Sequence, residues 1–214
     1  MNLVQHAWVS QLSRATAALG LPLSGGQAVG LAVSTVGVAD YRETLVGLSY
    51  ARSIGPLSVG VRVGGLGLNV PEAGSRFIGQ VDAGVLLTVD KRKRLTLGCR
   101  TANAHAAQVG REQPQTLPQL VAFGMAWQAT EQVGITAEWQ HRNDVTSALH
   151  AGLWYQPVSA FVIRLGAVPS LQRIHAGVGW KWRQLSADIA TRVDPILGWT
   201  PSFGIEYRLT RPSR

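Results

Sequence analysis

The chain has 214 residues, of which 46% are hydrophobic and only 15% charged, with 24 glycines and a formal net charge of +8. No stretch approaches the ~20 consecutive apolar residues of a membrane-crossing helix, which excludes a helical membrane protein. A single cysteine, Cys99, excludes an intrachain disulfide and a cysteine-based zinc site, and basic residues scattered singly along the chain exclude a concentrated nucleic-acid-binding face.

Low charge without long apolar runs means that apolar residues are spread by alternation, and mean hydropathy is only +0.09. Strands are expected at 14–22, 27–36, 42–52, 57–67, 78–89, 94–103, 119–129, 133–142, 147–156, 161–168, 173–182, 185–192 and 201–209. The two-residue period is clearest in five of them. Val59, Val61 and Val63 oppose Ser58, Gly60 and Arg62. Val133, Ile135, Ala137 and Trp139 oppose Gly134, Thr136, Glu138 and Gln140. Phe161, Ile163 and Leu165 oppose Val162, Arg164 and Gly166. Ile174, Ala176, Val178 and Trp180 oppose His175, Gly177, Gly179 and Lys181. Phe203, Ile205 and Tyr207 oppose Ser202, Gly204 and Glu206. A soluble sandwich would cover its second face with many charged and polar residues. Here that face is mostly Gly, Ala and Ser with an occasional full charge, which suits a crowded lumen.

The expected fold is therefore all-β, an antiparallel up-and-down transmembrane β-barrel of about 14 strands (12–14 in this chain), in a bacterial outer membrane. Short turns at 23–26, 53–56, 90–93 (with Lys91-Arg92-Lys93-Arg94), 130–132, 157–160 and 183–184 should alternate with longer loops, most clearly at 68–77, 104–118 and 193–200. With short turns periplasmic and long loops external, the last strand descends. An even strand number then needs one more strand at Leu3–Gln11. Trp127, Trp139, Tyr155, Phe161, Trp182 and Phe203 are expected near strand ends, as interfacial girdles.

Strand parity turns Arg62, Arg100, Arg142, Arg164, Lys181, Arg192 and Arg208 inward, with Asp82, Glu138, Asp188 and Glu206. An Arg or Lys facing lipid at mid-bilayer costs ~2–4 kcal/mol. The expectation is a charged network that fills the lumen. His150 and His175 fall on the same face, with Asp188 on the next strand, as a base and its orienter would. No strained serine turn accompanies them, so lumenal packing is the expected role. His105 and His141 lack metal-ligand spacing, and Gly64-Gly65-Leu66-Gly67 lacks the features of a nucleotide loop. No catalytic, metal or cofactor site is expected.

The segments TLVGLSYARSIGPLSVGVRVGGLGL (44–68), LHAGLWYQPVSAFVIRLGAVPSLQRIHAGVGWKWRQLSADIATRV (149–193) and LGWTPSFGIEYRL (197–209) resemble the FadL-like outer-membrane β-barrel family, in its PorV/PorQ-like branch. His6-Ala7-Trp8 and residues 17–23 are similar to an early strand of that group. The resemblance implies a 14-stranded, non-enzymatic barrel acting as a platform in type IX secretion or surface assembly. The alternative it implies is a FadL-like conduit for hydrophobic small molecules. Implied partners are outer-membrane lipid and lipopolysaccharide, secretion-system proteins and a hydrophobic small molecule, without nucleic acid. The family's signal peptide and N-terminal plug, with its Asn-Pro-Ala element, find no counterpart in these residues. The expectation is thus one barrel domain over 1–214 that lacks both.

Overall fold

The structure is a computed structural model that describes residues 2–5, 13–38, 41–70, 74–90, 92, 94–109, 115–196 and 198–209. In chain order the strands are β1 (Asn2–Gln5), β2 (Ser13–Pro22), β3 (Gln27–Val38), β4 (Tyr41–Ile54), β5 (Leu57–Val70), β6 (Gly74–Thr88), β7 (Leu95–Ala102), β8 (Gln108–Val109), β9 (Gln115–Thr116), β10 (Leu120–Gln128), β11 (Val133–Arg142), β12 (Val145–Val158), β13 (Phe161–Val168), β14 (Arg173–Trp182), β15 (Leu185–Asp194) and β16 (Gly198–Tyr207). The short β8 and β9 pair only with each other. The thirteen others from β2 to β16 form one continuous antiparallel up-and-down sheet, each bonded to its neighbours in sequence, with β7 bonded to β10. Its two ends meet through β1, which bonds β2 on one side and β16 on the other. Among the described residues the barrel is closed through β1, which meets β16 over Asn2–Val4 and Ser202–Gly204. Residues 6–11 of the expected first strand lie outside the described residues.

Tight turns fix the register. At 53–56, Ile54 pairs with Leu57, and Gly55 has φ +60 before Pro56. A positive φ followed by proline's fixed negative φ is the type II′ pattern, whose twist matches that of the flanking strands. At the Arg183-Gln184 turn, Trp182 pairs with Leu185, and the ladder runs in register from there to Ile174 and Val193.

One expectation needs correcting. The connections on the opposite rim are not generally long. β5 ends at Val70 and β6 begins at Gly74, and β16 begins at Gly198, so residues 68–70, 74–77 and 198–200 belong to strands. Glycine at 65, 67, 74 and 79 lowered the strand signal there, yet pairing with neighbours carries the strands through. The connection between β7 and β10 is long. It is ordered around Asn103, which is 2% exposed. The Asn103 backbone N–H donates to Asp82 Oδ1 (2.9 Å) and its side-chain amide to the Leu117 carbonyl (3.0 Å). Its Oδ1 accepts from the Ala107 N–H (2.9 Å), and its carbonyl accepts from Gln119 Nε2 (3.2 Å). All of this buried amide's polar groups are therefore satisfied, which holds the loop to β6.

The two faces of the sheet are chemically distinct. Through the register, Leu21, Val29, Tyr50, Val61 and Ala83 lie in one row, and Arg62 lies beside Ser49 and Asp82 on the other face. Every buried strand side chain shares the charged face: Ile78, Ala122, Ala148, Val162, Val168, Ser186, Asp194 and Thr200. Crowding belongs to the concave side of a closed sheet, so the charged face is the interior and the apolar face is the outside. Val61, Ile135, Leu165, Val178 and Ile205 are all exposed there. Among the described strand residues the only full charges on the outer face are Arg42 and Arg52, both close to the ends of β4.

Aromatic residues mark the edges of this belt, with one exception. Trp127, Tyr155, Phe161, Trp180, Trp182 and Tyr207 stand on the outer face at the short-turn rim, where Trp180 stacks on Trp182 and the Arg183 guanidinium lies 5.5 Å from the Trp182 ring centre. Phe203 was expected at a strand end but sits mid-strand, because β16 starts three residues earlier than its alternation suggests. Trp199 takes the position at that opposite end. Trp199 and Tyr207 are eight residues apart on β16. At ~3.3 Å per residue and a tilt of ~40° this spans about 20 Å of height, close to the ~25 Å apolar band of outer-membrane barrels.

Candidate functional site: the lumenal wall

Four ion pairs join neighbouring or next-neighbouring strands on the inner face. Arg62 on β5 pairs with Asp82, its register partner on β6. Arg100 on β7 reaches Glu138 on β11 (3.0 Å) across β10. Arg164 on β13 pairs with Asp188 on β15 across β14. Arg173 and Asp194 pair between β14 and β15. The bridges that skip a strand cross glycine. Gly124 separates Arg100 from Glu138, and Gly177 and Gly179 separate Arg164 from Asp188. The absence of side chains at these positions opens the path for the long arginines.

The remaining inward candidates divide differently. Arg142, at the end of β11, pairs with Asp144 in the adjoining turn (2.6 Å) instead of with another wall. Arg208 lies just beyond β16 and pairs with Glu206 (2.8 Å). Lys181 and Arg192 join no ion pair among the described residues. His175 is the register partner of Arg192, and His150 that of Glu138. The His150, His175 and Asp188 grouping does not form an acid–base pair, because Asp188 is engaged by Arg164 and His175 stands beside a guanidinium.

Two inner-face features were not anticipated. Trp154 is the register partner of Gly134 and Arg164, and its indole lies on Gly134, where any Cβ would collide with it. Large aromatics cover strand glycines on the outside too, as Phe77 does over Gly65. The pair Arg173–Asp194 is the other. Asp194 is 3% exposed and also accepts the Ile196 backbone N–H (2.9 Å). The Arg183-Gln184 turn was the available signal for it: counting back from Trp182 and forward from Leu185 sets residue 173 opposite residue 194.

Two recesses lie on the inner wall. One, of about 340 Å³, is bounded by Arg164, His175, Asp188 and Arg192 over Gly166 and Gly177. The other, of about 410 Å³, is bounded by Arg62, Asp82 and Arg100 over Gly60 and Gly84. In the strand order β5 and β14 are diametrically opposite, so the recesses face each other across the lumen. In the turn outside the barrel wall, Asp90 accepts the N–H groups of Leu95 (2.9 Å) and Arg94 (2.6 Å). These bonds, Leu95 first, hold its carboxyl below the usual carboxylate range.

No protein-family model matches the chain, and no curated protein matches it. Solved structures match over nearly its full length. KdgM porin superposes with a TM-score of 0.53 at 8% identity, covering 98% of this chain and 97% of that one. An engineered variant of Rhodopseudomonas blastica porin gives 0.53 at 6% identity, with 96% of each chain covered. NanC porin gives 0.50 at 11% identity, covering 97% of this chain and 98% of that one. At such identities the likeness is one of fold: this chain has the antiparallel up-and-down barrel fold seen in porins.

Proposed function

We propose that this chain is a non-enzymatic β-barrel of a bacterial outer membrane that passes small hydrophilic solutes through its lumen, with a preference for anions. The observation that carries the proposal is the segregation of the two faces. An apolar belt edged by aromatics surrounds a wall on which glycine, small polar residues and paired charges stand beside a few apolar side chains such as Ile78 and Val162. The charges and polar groups of that wall offer a hydrophilic solute water-like partners along its path. Lys181 and Arg192, outside any described ion pair, tilt the lumenal potential positive, and a low-dielectric wall focuses that field on passing anions.

A second function is favoured by one specific feature, the folded connection between β7 and β10. The residues around Asn103, pinned to Asp82 at the rim, provide a surface on which a secretion or surface-assembly protein could dock. Arg42 and Arg52, at the two ends of β4, are suited to lipid or lipopolysaccharide phosphates at the two interfaces.

Planar-bilayer recording of the purified barrel in a salt gradient tests the proposal. Stable conductance steps with a reversal potential displaced towards the anion side are expected. A silent barrel that co-purifies with secretion proteins would replace the channel with the platform.

A further inference from the structure

The recess on β13–β16 has a floor without side-chain bulk. One row of register partners runs Gly152, Gly166, His175, Arg192, Thr200, and the next runs Trp154, Arg164, Gly177, Ala190, Ser202. Glycine or alanine at 166, 177 and 190 leaves a hollow of about 340 Å³, within the usual size of small-ligand sites (~300–1,000 Å³). Three nitrogen-bearing side chains border it from three adjacent strands: Arg164 on β13, His175 on β14 and Arg192 on β15. The one carboxylate at its edge, Asp188, is engaged by Arg164. Arg192 Nε is buried and has no hydrogen-bond partner among the described residues. A buried guanidinium N–H without an acceptor is costly, and an arginine fork matches an oxyanion in two-point geometry.

We propose that this recess is a binding site for a small oxyanion-bearing solute, a carboxylate or a phosphate monoanion, with Arg192 as its principal clamp. His175 and Arg164 supply the flanking donors. The inference deepens the channel function proposed above, since it names the class of solute and a saturable station for it on the lumenal wall. Glycine at 177 is essential to it. A Cβ there would lie 2.9 Å from the Ala190 Cβ and 3.2 Å from the Ile189 carbonyl oxygen, narrowing the floor. Selectivity for small solutes follows from the size of the hollow, and preference for anions over neutral ones from the positive charge of the guanidinium groups that border it.

Isothermal titration calorimetry of the purified barrel in detergent tests the site without requiring conduction. The probes are glucuronate, inorganic phosphate and, as the neutral counterpart, glucose. Saturable heat is expected with glucuronate or phosphate and none with glucose, and the stronger of the two anions identifies the group preferred. Arg192→Gln should weaken binding at least tenfold, Arg192→Lys by less, and Arg42→Gln on the outer face not at all. Should Arg192→Gln fail to fold, His175→Gln and Gly177→Ala are each expected to weaken binding several-fold. Equal titration of Arg192→Gln and the unaltered protein, or glucose binding as tightly as glucuronate, would overturn the site. Anion binding by a barrel that carries no current would leave the site standing and remove the channel; current without anion binding would do the reverse.

Discussion

Arg164 on β13 and Asp188 on β15 form an ion pair over the intervening strand, above Gly177 and Gly179 of β14. The pair exists because two positions on β14 carry no side chain. A Cβ on Gly179 would collide with the Asp188 carboxylate and lie 3.0 Å from the Arg164 guanidinium. These two are ends of flexible side chains, which can swing away, but the Cβ would also lie 2.9 Å from Cγ1 of the buried, β-branched Val162. A Cβ on Gly64 of β5 instead meets backbone, colliding with the Val46 carbonyl oxygen and lying 2.9 Å from the Gly47 Cα. Gly179→Ala should therefore fall in the lower part of the ~1–3 kcal/mol range of overpacking. Gly64→Ala should reach the upper part of the ~1–3 kcal/mol range of overpacking. Denaturant unfolding in detergent compares the two. Asp188→Ala should also add almost nothing in the Gly179→Ala background, because both changes open the same pair.

Exposure decides which carboxylate matters most for stability. The side chains of Arg164 and Asp188 are 49% and 41% exposed, and lumenal water screens them. Asp188→Ala should cost no more than ~1 kcal/mol. The Asp194 side chain is 2% exposed and holds both Arg173 and the Ile196 N–H. Removing it leaves the part-exposed Arg173 guanidinium and the Ile196 N–H without their acceptor, and Asp194→Ala should cost ~1–3 kcal/mol, more than Asp188→Ala. Heat resistance on detergent gels reads the difference. Comparable loss in the two variants would mean that both pairs are equally screened.

Strand positions were legible from alternation, because the longer strands put mostly apolar residues on one side and mostly small or charged ones on the other, with exceptions such as Ile78 and Trp154. The residues at 68–70 and 198–200 were not legible as strand. Each precedes a proline, Pro71 and Pro201, and is held as strand by pairing with its neighbours on the adjoining strands. Inward placement of charges such as Arg62 and Glu138 follows from parity, but pairing needs register. Arg100–Glu138 and Arg164–Asp188 each skip a strand, a geometry no hairpin count supplies. Arg173–Asp194 could have been counted from its two-residue turn. The organising role of Asn103 had no periodic signal, since it arises from its positive φ and five hydrogen bonds in a loop.

Closure depends on β1. Leu3 is the register partner of Phe203 on one side and Ala15 on the other. In a Cys99→Ser background, the pair Leu3→Cys and Phe203→Cys should crosslink under mild oxidation, and the shift should be visible as altered gel mobility. Deleting residues 2–5 should prevent stable insertion, because each unpaired backbone group facing lipid costs several kcal/mol. Full insertion of the deletion variant would show that β2 and β16 can pair directly.

The Asp90 turn contributes a small pH dependence. Hydrogen bonds from Leu95 and Arg94 lower its folded-state pKa, so its contribution is present above the unfolded pKa and is lost as pH falls through the folded value. A carboxyl NMR titration should place the Asp90 midpoint below that of an unstructured aspartate. Asp90→Asn should lose this acid-side dependence, and a midpoint at the unstructured value would contradict the turn geometry.

The most direct test of the account is a cysteine scan along β14, from Arg173 to Trp182, in the Cys99→Ser protein reconstituted in lipid. Spin labels at 174, 176, 178 and 180 should be accessible to oxygen dissolved in the bilayer and shielded from a water-soluble nickel chelate. Those at 175, 177, 179 and 181 should show the reverse, with period two throughout. Loss of the alternation, or alternation with the opposite phase, would contradict a lipid-facing apolar belt around a hydrated, charged lumen.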